Sequence, residues 1–298
     1  MQSTTTYSSE ATLAPAQKSF WQDYLRYRLG RWLGFLLLFV TSVIVLAPIV
    51  WTISTSMRTP AESFSVPPQW IPVHPDFTNY ADVFKRIPFW RQIFNSFIVT
   101  ASIVVGQLIT ASMAGYAFAH LQFPGKNLLF WLVMATMMIP LQATIIPVFV
   151  FISRLNLNDT LASLILPALP TAFGTFLLRQ YFLQIPKEFE EAALIDGAGL
   201  WHIFTRVYMP LVAPGLAVLA VLSFNGYWNE FFRPLIFMVT SEKFTIPLGL
   251  NDLKGYMMTG SISVVLAGIV LSILPVVIVY IFGQRALIEG IMTGGLKG

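Results

Sequence analysis

Six stretches free of Asp, Glu, Lys and Arg divide the chain into long apolar blocks, with the charged positions gathered in the intervals between them. The blocks are Trp32–Met57, Gln92–Gly125, Asn127–Ser153, Thr160–Leu178, Val207–Asn229 and Gly255–Gln284. A helix needs about 20 apolar residues to cross the hydrocarbon layer of a bilayer. Each block therefore predicts one crossing, over about 32–55, 94–119, 127–153, 160–182, 207–229 and 262–284. The expected fold class is all-α, a polytopic membrane protein with six transmembrane helices. The first block is too long for a signal-peptide core and no small-residue cleavage site follows it, so it reads as an uncleaved anchor.

Residues 1–30 read as an N-terminal cytoplasmic tail, and 31–298 as one transmembrane domain. Met1–Lys18 is polar and rich in Ser and Thr, the composition of a disordered segment. Lys18, Arg26, Arg28 and Arg31 precede the first block and favour an N-terminus inside. Six crossings return the C-terminus to the same side. The loop from Arg58 to Arg91 then lies outside and is aromatic, with Trp70, Phe77, Tyr80, Phe84, Phe89 and Trp90. It serves either as an interfacial belt or as a docking surface. Asp76 is placed to cap a short helix running through Phe84.

Several blocks contain proline: Pro48, Pro140, Pro147, Pro167, Pro170, Pro214 and Pro275. Each removes a backbone hydrogen bond that protein or cavity water must replace. The third, fourth and fifth helices are thus candidates to line a path, although proline is common in membrane helices generally.

Composition narrows the function. Of 298 residues, 56% are hydrophobic and 11% charged, where a soluble domain carries about 25% charged residues. The net charge of +4 is spread singly between apolar blocks and forms no basic stripe, so nucleic acid is not an expected partner. The chain has no cysteine, which excludes disulfides, thiolate metal sites and cysteine nucleophiles. It has no Gly-x-x-x-x-Gly-Lys-Ser/Thr, so it holds no ATP in a P-loop. His74, His120 and His202 lie in separate intervals and read as ordinary surface or packing residues. No charge sits deep within a block, which argues against a proton or ion relay. No catalytic residue, metal or cofactor is expected in this chain.

Polar groups within the blocks are few and uncharged, among them Gln107, Thr110, Gln142 and Thr144. Asn225, Trp228 and Asn229 are the candidates for a solute cavity, since amides beside an aromatic face suit a sugar. Interhelical hydrogen bonding is the alternative use of such residues. Glu230 and Arg233, three apart at a helix end, are placed to pair.

One interval, residues 184–206, differs chemically from the rest. Pro186 suits the first turn of a helix, and Glu188, Glu190 and Glu191 follow where the helix dipole favours anions. Gly197 and Gly199 then break the helix, and Trp201–Val207 resumes it into the fifth block. Small residues beside acids make a surface that another protein can approach closely and that Arg or Lys can pair with. An ordinary solvated helix is the plainer reading of the same composition.

The run Glu191-Ala192-Ala193-Leu194-Ile195-Asp196-Gly197-Ala198, followed by Pro210-Leu211 and Pro214, resembles the EAA loop of ABC import permeases. Other stretches agree in order: Phe94-Asn95-Ser96, Ala114-Gly115-Tyr116-Ala117-Phe118-Ala119, Phe123-Pro124-Gly125-Lys126, Phe176-Leu177-Leu178-Arg179-Gln180-Tyr181-Phe182 and Trp228-Asn229-Glu230-Phe231-Phe232-Arg233-Pro234-Leu235. With the terminal Gly294-Gly295-Leu296-Lys297-Gly298, they resemble the maltose-type second permease of the carbohydrate-uptake branch over about residues 33–298.

The resemblance implies a type I importer permease fold in a bacterial cytoplasmic membrane, with both termini cytoplasmic. It implies that Glu191, Ala192, Ala193, Asp196, Gly197 and Ala198 form a coupling helix seated in an ATPase subunit. The C-terminal tail, 285–298, would bring Gly294, Gly295 and Lys297 to the ATPase dimer. The implied partners are a second homologous permease, two ATPase subunits that bind ATP and Mg, an extracytoplasmic solute-binding protein and membrane lipid. The implied solute is an oligosaccharide, glycoside or polyol. A non-sugar solute such as glycerol phosphate, or a secondary carrier, is the alternative.

Overall fold

A computed structural model describes residues 20–59, 62–64, 70–72, 74–255 and 261–295, with backbone alone for 20–26, 64 and 285–295. The tail 1–19 and Lys297 lie outside the described residues. Among the described residues every regular element is helical. The chain divides into two compact units, residues 1–51 and 52–298.

Helix α1 (Phe20–Ser56) is continuous, includes Pro48, and forms the first unit's described part through Trp51. It begins within the segment expected to be tail. Leu36, Leu37, Leu38 and Phe39 are consecutive and all exposed, so the helix is apolar around its whole circumference, as a membrane span is.

The second unit holds α2 (Thr78–Arg86), α3 (Phe89–Ala119), α4 (Lys126–Thr136), α5 (Leu141–Arg154), α6 (Leu161–Ile165), α7 (Ala172–Leu183) and α8 (Glu188–Ile195). It continues with α9 (Leu200–His202), a π-helical stretch Ile203–Tyr208, α10 (Met209–Leu211), α11 (Ala213–Trp228), α12 (Phe232–Phe237), α13 (Ile246–Asp252) and α14 (Ile262–Gly295). Asp76 Oδ1 accepts the Thr78 N–H at 2.9 Å, turning the chain into α2 from two residues before the helix rather than from its cap. The helix runs past Phe84 to Arg86.

Helices α1, α3 and α14 are long and apolar enough to cross a membrane unbroken. The other three expected spans are each a bent pair, and six crossings result when each pair counts as one. The block 127–153 bends by 99° between α4 and α5, 160–182 by 42° before α7, and the fifth by 73° between α10 and α11. Proline explains each break. Its ring clashes with the carbonyl four residues back and its nitrogen donates nothing, and the preceding residue is driven out of the helical region. Pro140 directly precedes α5, Pro170 stands in the gap before α7, and Pro214 is the second residue of α11. The 184–206 loop therefore feeds the fifth span through a bend, at the proline of a helix read as kinked. The segment expected as a tail after residue 284 is helical through Gly295.

Helix α3 organises the second unit, packing along α7 and α11. A Cβ on Gly115 would lie 3.0 Å from the backbone nitrogen of Arg179, and one on Gly174 would lie 3.1 Å from the Ala111 Cβ. The α3–α7 contact is thus nearly backbone to backbone. Helices in lipid associate this way because burying apolar surface against each other gains little there.

The two ends of α3 meet different loops. Near its start, Asn95 Nδ2 donates to the carbonyls of Glu242 (2.8 Å) and Phe244 (3.0 Å). Near its end, Tyr116 packs with Phe182, Phe204 and Tyr208. Twenty-one residues of helix rise about 32 Å at 1.5 Å each, about one hydrocarbon thickness. The 184–206 loop and the 238–245 loop therefore meet α3 at points about one hydrocarbon thickness apart.

Candidate functional site

The loop between α7 and α11 is built around α8. Its first turn carries Glu188, Glu190 and Glu191, where the unpaired N–H groups of a helix favour negative charge. Its end is a closed cap: Gly197 donates to the Leu194 carbonyl at 3.0 Å and Ala198 to the Ala193 carbonyl at 2.9 Å. This double bond pattern needs a left-handed residue at the turn, and Gly197 supplies it with φ +81°. Gly199 then opens α9. The expected break at Gly197 and Gly199 is where the helix ends.

The loop has two faces. Ala193 and Ala198 are half-buried against a cluster that includes Phe182, Ile203 and Tyr208. Glu191, Ala192, Asp196 and Gly197 are exposed. Apolar side chains stand beside them, Ile195 86% exposed and Trp201 67% exposed. Ala193, Asp196, Gly197, Ala198, Gly199 and His202 border a shallow concavity of about 490 Å³. The six residues singled out in the sequence thus form one continuous ridge and hollow.

Beneath the loop lies a polar cluster that sequence reasoning missed. Tyr208 Oη donates to Glu190 Oε2 at 2.7 Å and lies 3.0 Å from His120 Nδ1. His120 Nε2 is 3.1 Å from the Phe182 carbonyl, which can only accept, so this nitrogen carries the proton. The His120 side chain is 4% exposed and that of Glu190 20%, while Tyr208 and Phe182 are fully buried. Tyr116 stacks on His120 with centroids 5.6 Å apart. Burial pushes the His120 pKa below its usual value; the Phe182 carbonyl and Glu190 oppose this, and Lys126 and Lys187 add to it. His120 is therefore a packed, bonded group rather than an ordinary surface histidine. The available sequence signal was its four-residue spacing from Tyr116; nothing local ties it to residues 190 and 208.

The cavity candidates separate. Asn229, which caps the end of α11, donates through Nδ2 to Asn225 Oδ1 at 3.2 Å, and both residues are exposed. Trp228 is 3% exposed and donates through Nε1 to the Ser272 carbonyl of α14 at 3.2 Å. It packs between helices and does not share a cavity face with the two asparagines, because adjacent helical positions differ by about 100°. A groove of about 460 Å³ opens instead along Gln107, Thr171, Phe173, Ser223, Tyr227 and Glu230. Ser223 donates to Gln107 Oε1 at 2.7 Å, and Gln107 donates to Tyr227 Oη and the Ala168 carbonyl, each at 2.8 Å. Glu230 and Arg233 pair as the spacing predicts. Arg233 also donates to the Leu164 carbonyl at 3.0 Å and lies 5.1 Å from the Tyr227 ring centroid.

Gly294 and Gly295 end α14, and Lys297 lies beyond the described residues. Among the described residues no three His, Cys, Asp or Glu side chains converge to hold a metal.

Residues 107–288 match the family described as binding-protein-dependent transport system inner membrane component. The chain is 39% identical over 210 residues to the arabinooligosaccharides transport system permease protein AraQ of Halalkalibacterium halodurans, covering 70% of this chain and 75% of that one. It is 34% identical over 209 residues to the sn-glycerol-3-phosphate transport system permease protein UgpE of Shigella flexneri, covering 69% and 73%. A chain in the crystal structure of a bacterial ABC transporter involved in the import of the acidic polysaccharide alginate superposes with a TM-score of 0.76 at 30% identity, over 87% of this chain and 97% of that one. A bent-helix bundle of this arrangement, matched over most of its length, has one assignment: the chain belongs to the binding-protein-dependent transport system inner membrane components, and is an ABC importer permease subunit of the inner membrane rather than an enzyme.

Proposed function

We propose that this subunit carries a carbohydrate (an oligosaccharide, glycoside or polyol) into the cell by alternating access driven by ATP hydrolysis in two partner ATPase subunits. A second homologous permease completes the cavity, and an extracytoplasmic solute-binding protein delivers the solute near the Arg58–Arg91 loop. ATP and Mg reside in the partners. Both termini and the 184–206 loop face the cytoplasm, with the region of Gly294, Gly295 and Lys297 reaching the ATPase dimer.

The observation that carries the reading is the exposed ridge of α8. Glu191, Ala192, Asp196 and Gly197 present acids and small residues beside the exposed Ile195 and Trp201. An apolar patch rimmed by charge marks a protein contact, and here it sits at a loop that meets α3 about one hydrocarbon thickness from the 238–245 loop. ATP-driven closure of the ATPase pair draws two such ridges together, and solute and binding protein bias the cycle by their unequal affinity for its states.

The groove supports a hydroxylated solute: beside the Phe173 ring it carries Thr171, the Gln107-bonded hydroxyls of Ser223 and Tyr227, and Glu230, which is paired with Arg233. An anion such as glycerol phosphate would call on Arg179 or Arg233. Arg179 donates to the Phe118 carbonyl at 3.1 Å and lies over Phe130 at 4.2 Å, and Arg233 is engaged by Glu230 and Leu164. Both cations are committed within the fold, which favours the sugar.

The test is to purify the assembly with its neighbouring gene products and measure ATPase stimulation by a panel of oligosaccharides, polyols and glycerol phosphate. Stimulation by a carbohydrate supports the proposal. Stimulation by glycerol phosphate alone replaces the solute class, and transport without ATP replaces the mechanism.

A further inference from the structure

We infer that Glu190, Tyr208 and His120 form the joint through which movement of α8 reaches α3 and α7. The inference rests on the coupling role proposed for α8.

Apart from Glu190, the residues of α8 and its two flanking turns that reach the adjoining cluster are Ile185, Ala193 and Ala198, while Ile203 and Phe204 belong to it from the far end of the loop. Two of those are alanines, whose short side chains give contact but little directional hold. Glu190 is the long polar tie. It lies next to Glu191 in sequence, yet the turn of the helix separates their directions by about 100°. Glu191 faces outward, while Glu190 reaches Tyr208 at 2.7 Å. Tyr208 in turn touches His120, the residue that caps the end of α3. His120 reaches the carbonyl of Phe182 in the last turn of α7. One side chain from each of three elements, with a backbone carbonyl from a fourth, thus stands in contact in series at 3.1 Å or less per step, and Glu190 Oε2 itself lies 3.4 Å from His120 Nδ1.

The surroundings make the series stiff. Tyr116, Phe182 and Phe204 enclose it, with the Tyr116 ring 5.3 Å from Tyr208 and 5.1 Å from Phe204. A hydrogen bond shielded from water in this way is costly to leave unmade. The proton count also gives the joint two states. With the imidazole neutral and Nε2 protonated, Tyr208 has one proton and two acceptors, Glu190 Oε2 and His120 Nδ1. It serves one at a time. In the state seen here the shorter contact is to Glu190, which ties α8 to the body; transfer of the bond to His120 frees Glu190. A discrete two-state element of this kind is what coupling between distant sites requires.

Glu190, Tyr208 and His120 are positioning residues, since they touch neither nucleotide nor solute. The experiment uses the complete reconstituted transporter and a mixed oligosaccharide panel. The readout is solute taken up per ATP hydrolysed, which loss of fold alone does not move, because misfolded complex loses both activities together. Tyr208→Phe keeps the ring and removes the hydroxyl. The complex is expected to assemble and hydrolyse ATP, with the uptake-to-hydrolysis ratio down about tenfold. Glu190→Gln keeps an acceptor oxygen and is expected to lose less. Gly197→Trp is run beside them as the variant that deforms the ridge itself. A normal ratio in Tyr208→Phe with an abnormal one in Gly197→Trp overturns the joint and leaves the coupling ridge standing. A normal ratio in both overturns the coupling role. If Tyr208→Phe does not assemble, Glu190→Gln decides, and an unchanged ratio there overturns the joint.

Discussion

Asp159 Oδ2 receives Lys243 Nζ at 2.9 Å, joining the turn after α5 to the loop that follows α12. The same carboxylate accepts the Val239 N–H at 2.9 Å, the Thr240 N–H at 3.1 Å and the Thr240 hydroxyl at 2.6 Å. Burial pushes the Asp159 pKa up, but these bonds together outweigh it and hold the carboxyl well below its usual range. A depressed carboxyl pKa contributes stability above the unfolded value, lost as pH falls below it. We expect Asp159→Ala to destabilise the assembled protein by about 1–3 kcal/mol at neutral pH. The difference between the variant and the parent should shrink below about pH 4. Thermal unfolding followed in detergent across pH checks both.

His120 has the opposite charge and a pH response of the same sign. Its pKa is lowered chiefly by burial, so the folded protein binds fewer protons than the unfolded chain once pH drops. Stability is then full above about pH 6.5 and declines as pH falls through that value. His120→Gln should flatten this decline between about pH 7.5 and 5.5. A melting temperature that falls as steeply in the variant as in the parent would discard the assignment.

The left-handed turn at Gly197 is expected to tolerate no β-branched residue. A Cβ there would meet nothing within 4 Å, so space is not the obstacle; the φ of +81° is. Forcing Val into that region costs roughly 1–3 kcal/mol, which the loop can relieve by opening the cap. Gly197→Val should preserve assembly and abolish stimulation of ATPase by solute, as measured in liposomes.

Charge on the ridge gives a separate prediction. Glu191 is exposed and lies outside the buried cluster, so Glu191→Lys should leave the melting temperature within a degree or two of the parent. It should nonetheless weaken recovery of the ATPase subunits on affinity purification. Recovery equal to the parent would mean that the ridge faces no basic or close-fitting partner.

Packing at Gly115 can be tested without any solute. Gly115→Leu drives a side chain into the Arg179 backbone, an overpacking that costs about 1–3 kcal/mol or more. Reduced membrane accumulation and a lower melting temperature are expected, whereas Gly226→Ala, which meets open space, should behave as the parent.

The contrast between these sites shows what was readable in one dimension. Charge-free blocks located the spans because lipid imposes a length on them; prolines stand in all three that break, but Pro48 and Pro275 stand in helices that stay continuous. The bend angles were not readable, since Pro140 and Pro170 look alike in sequence but stand at breaks of 99° and 42°. The ridge was readable because Glu191 to Ala198 are contiguous. The joint was not: Glu190 lies 18 positions from Tyr208, and Tyr208 lies 88 from His120. Trp228 parts from Asn225 and Asn229 for a related reason. Its neighbours Asn225 and Asn229 share a face by their four-residue spacing, and only the packing of α14 reveals that Trp228 turns the other way.

With almost no side-chain layer between them at Ala111, Gly115 and Gly174, α3 and α7 have no cushion in which to slide. In the alternating-access cycle proposed above, a nudge at the Tyr116 end is thus expected to move α3 and α7 as one beam, and a pivot within that beam would carry the Asn95 end the opposite way, in the manner of a seesaw.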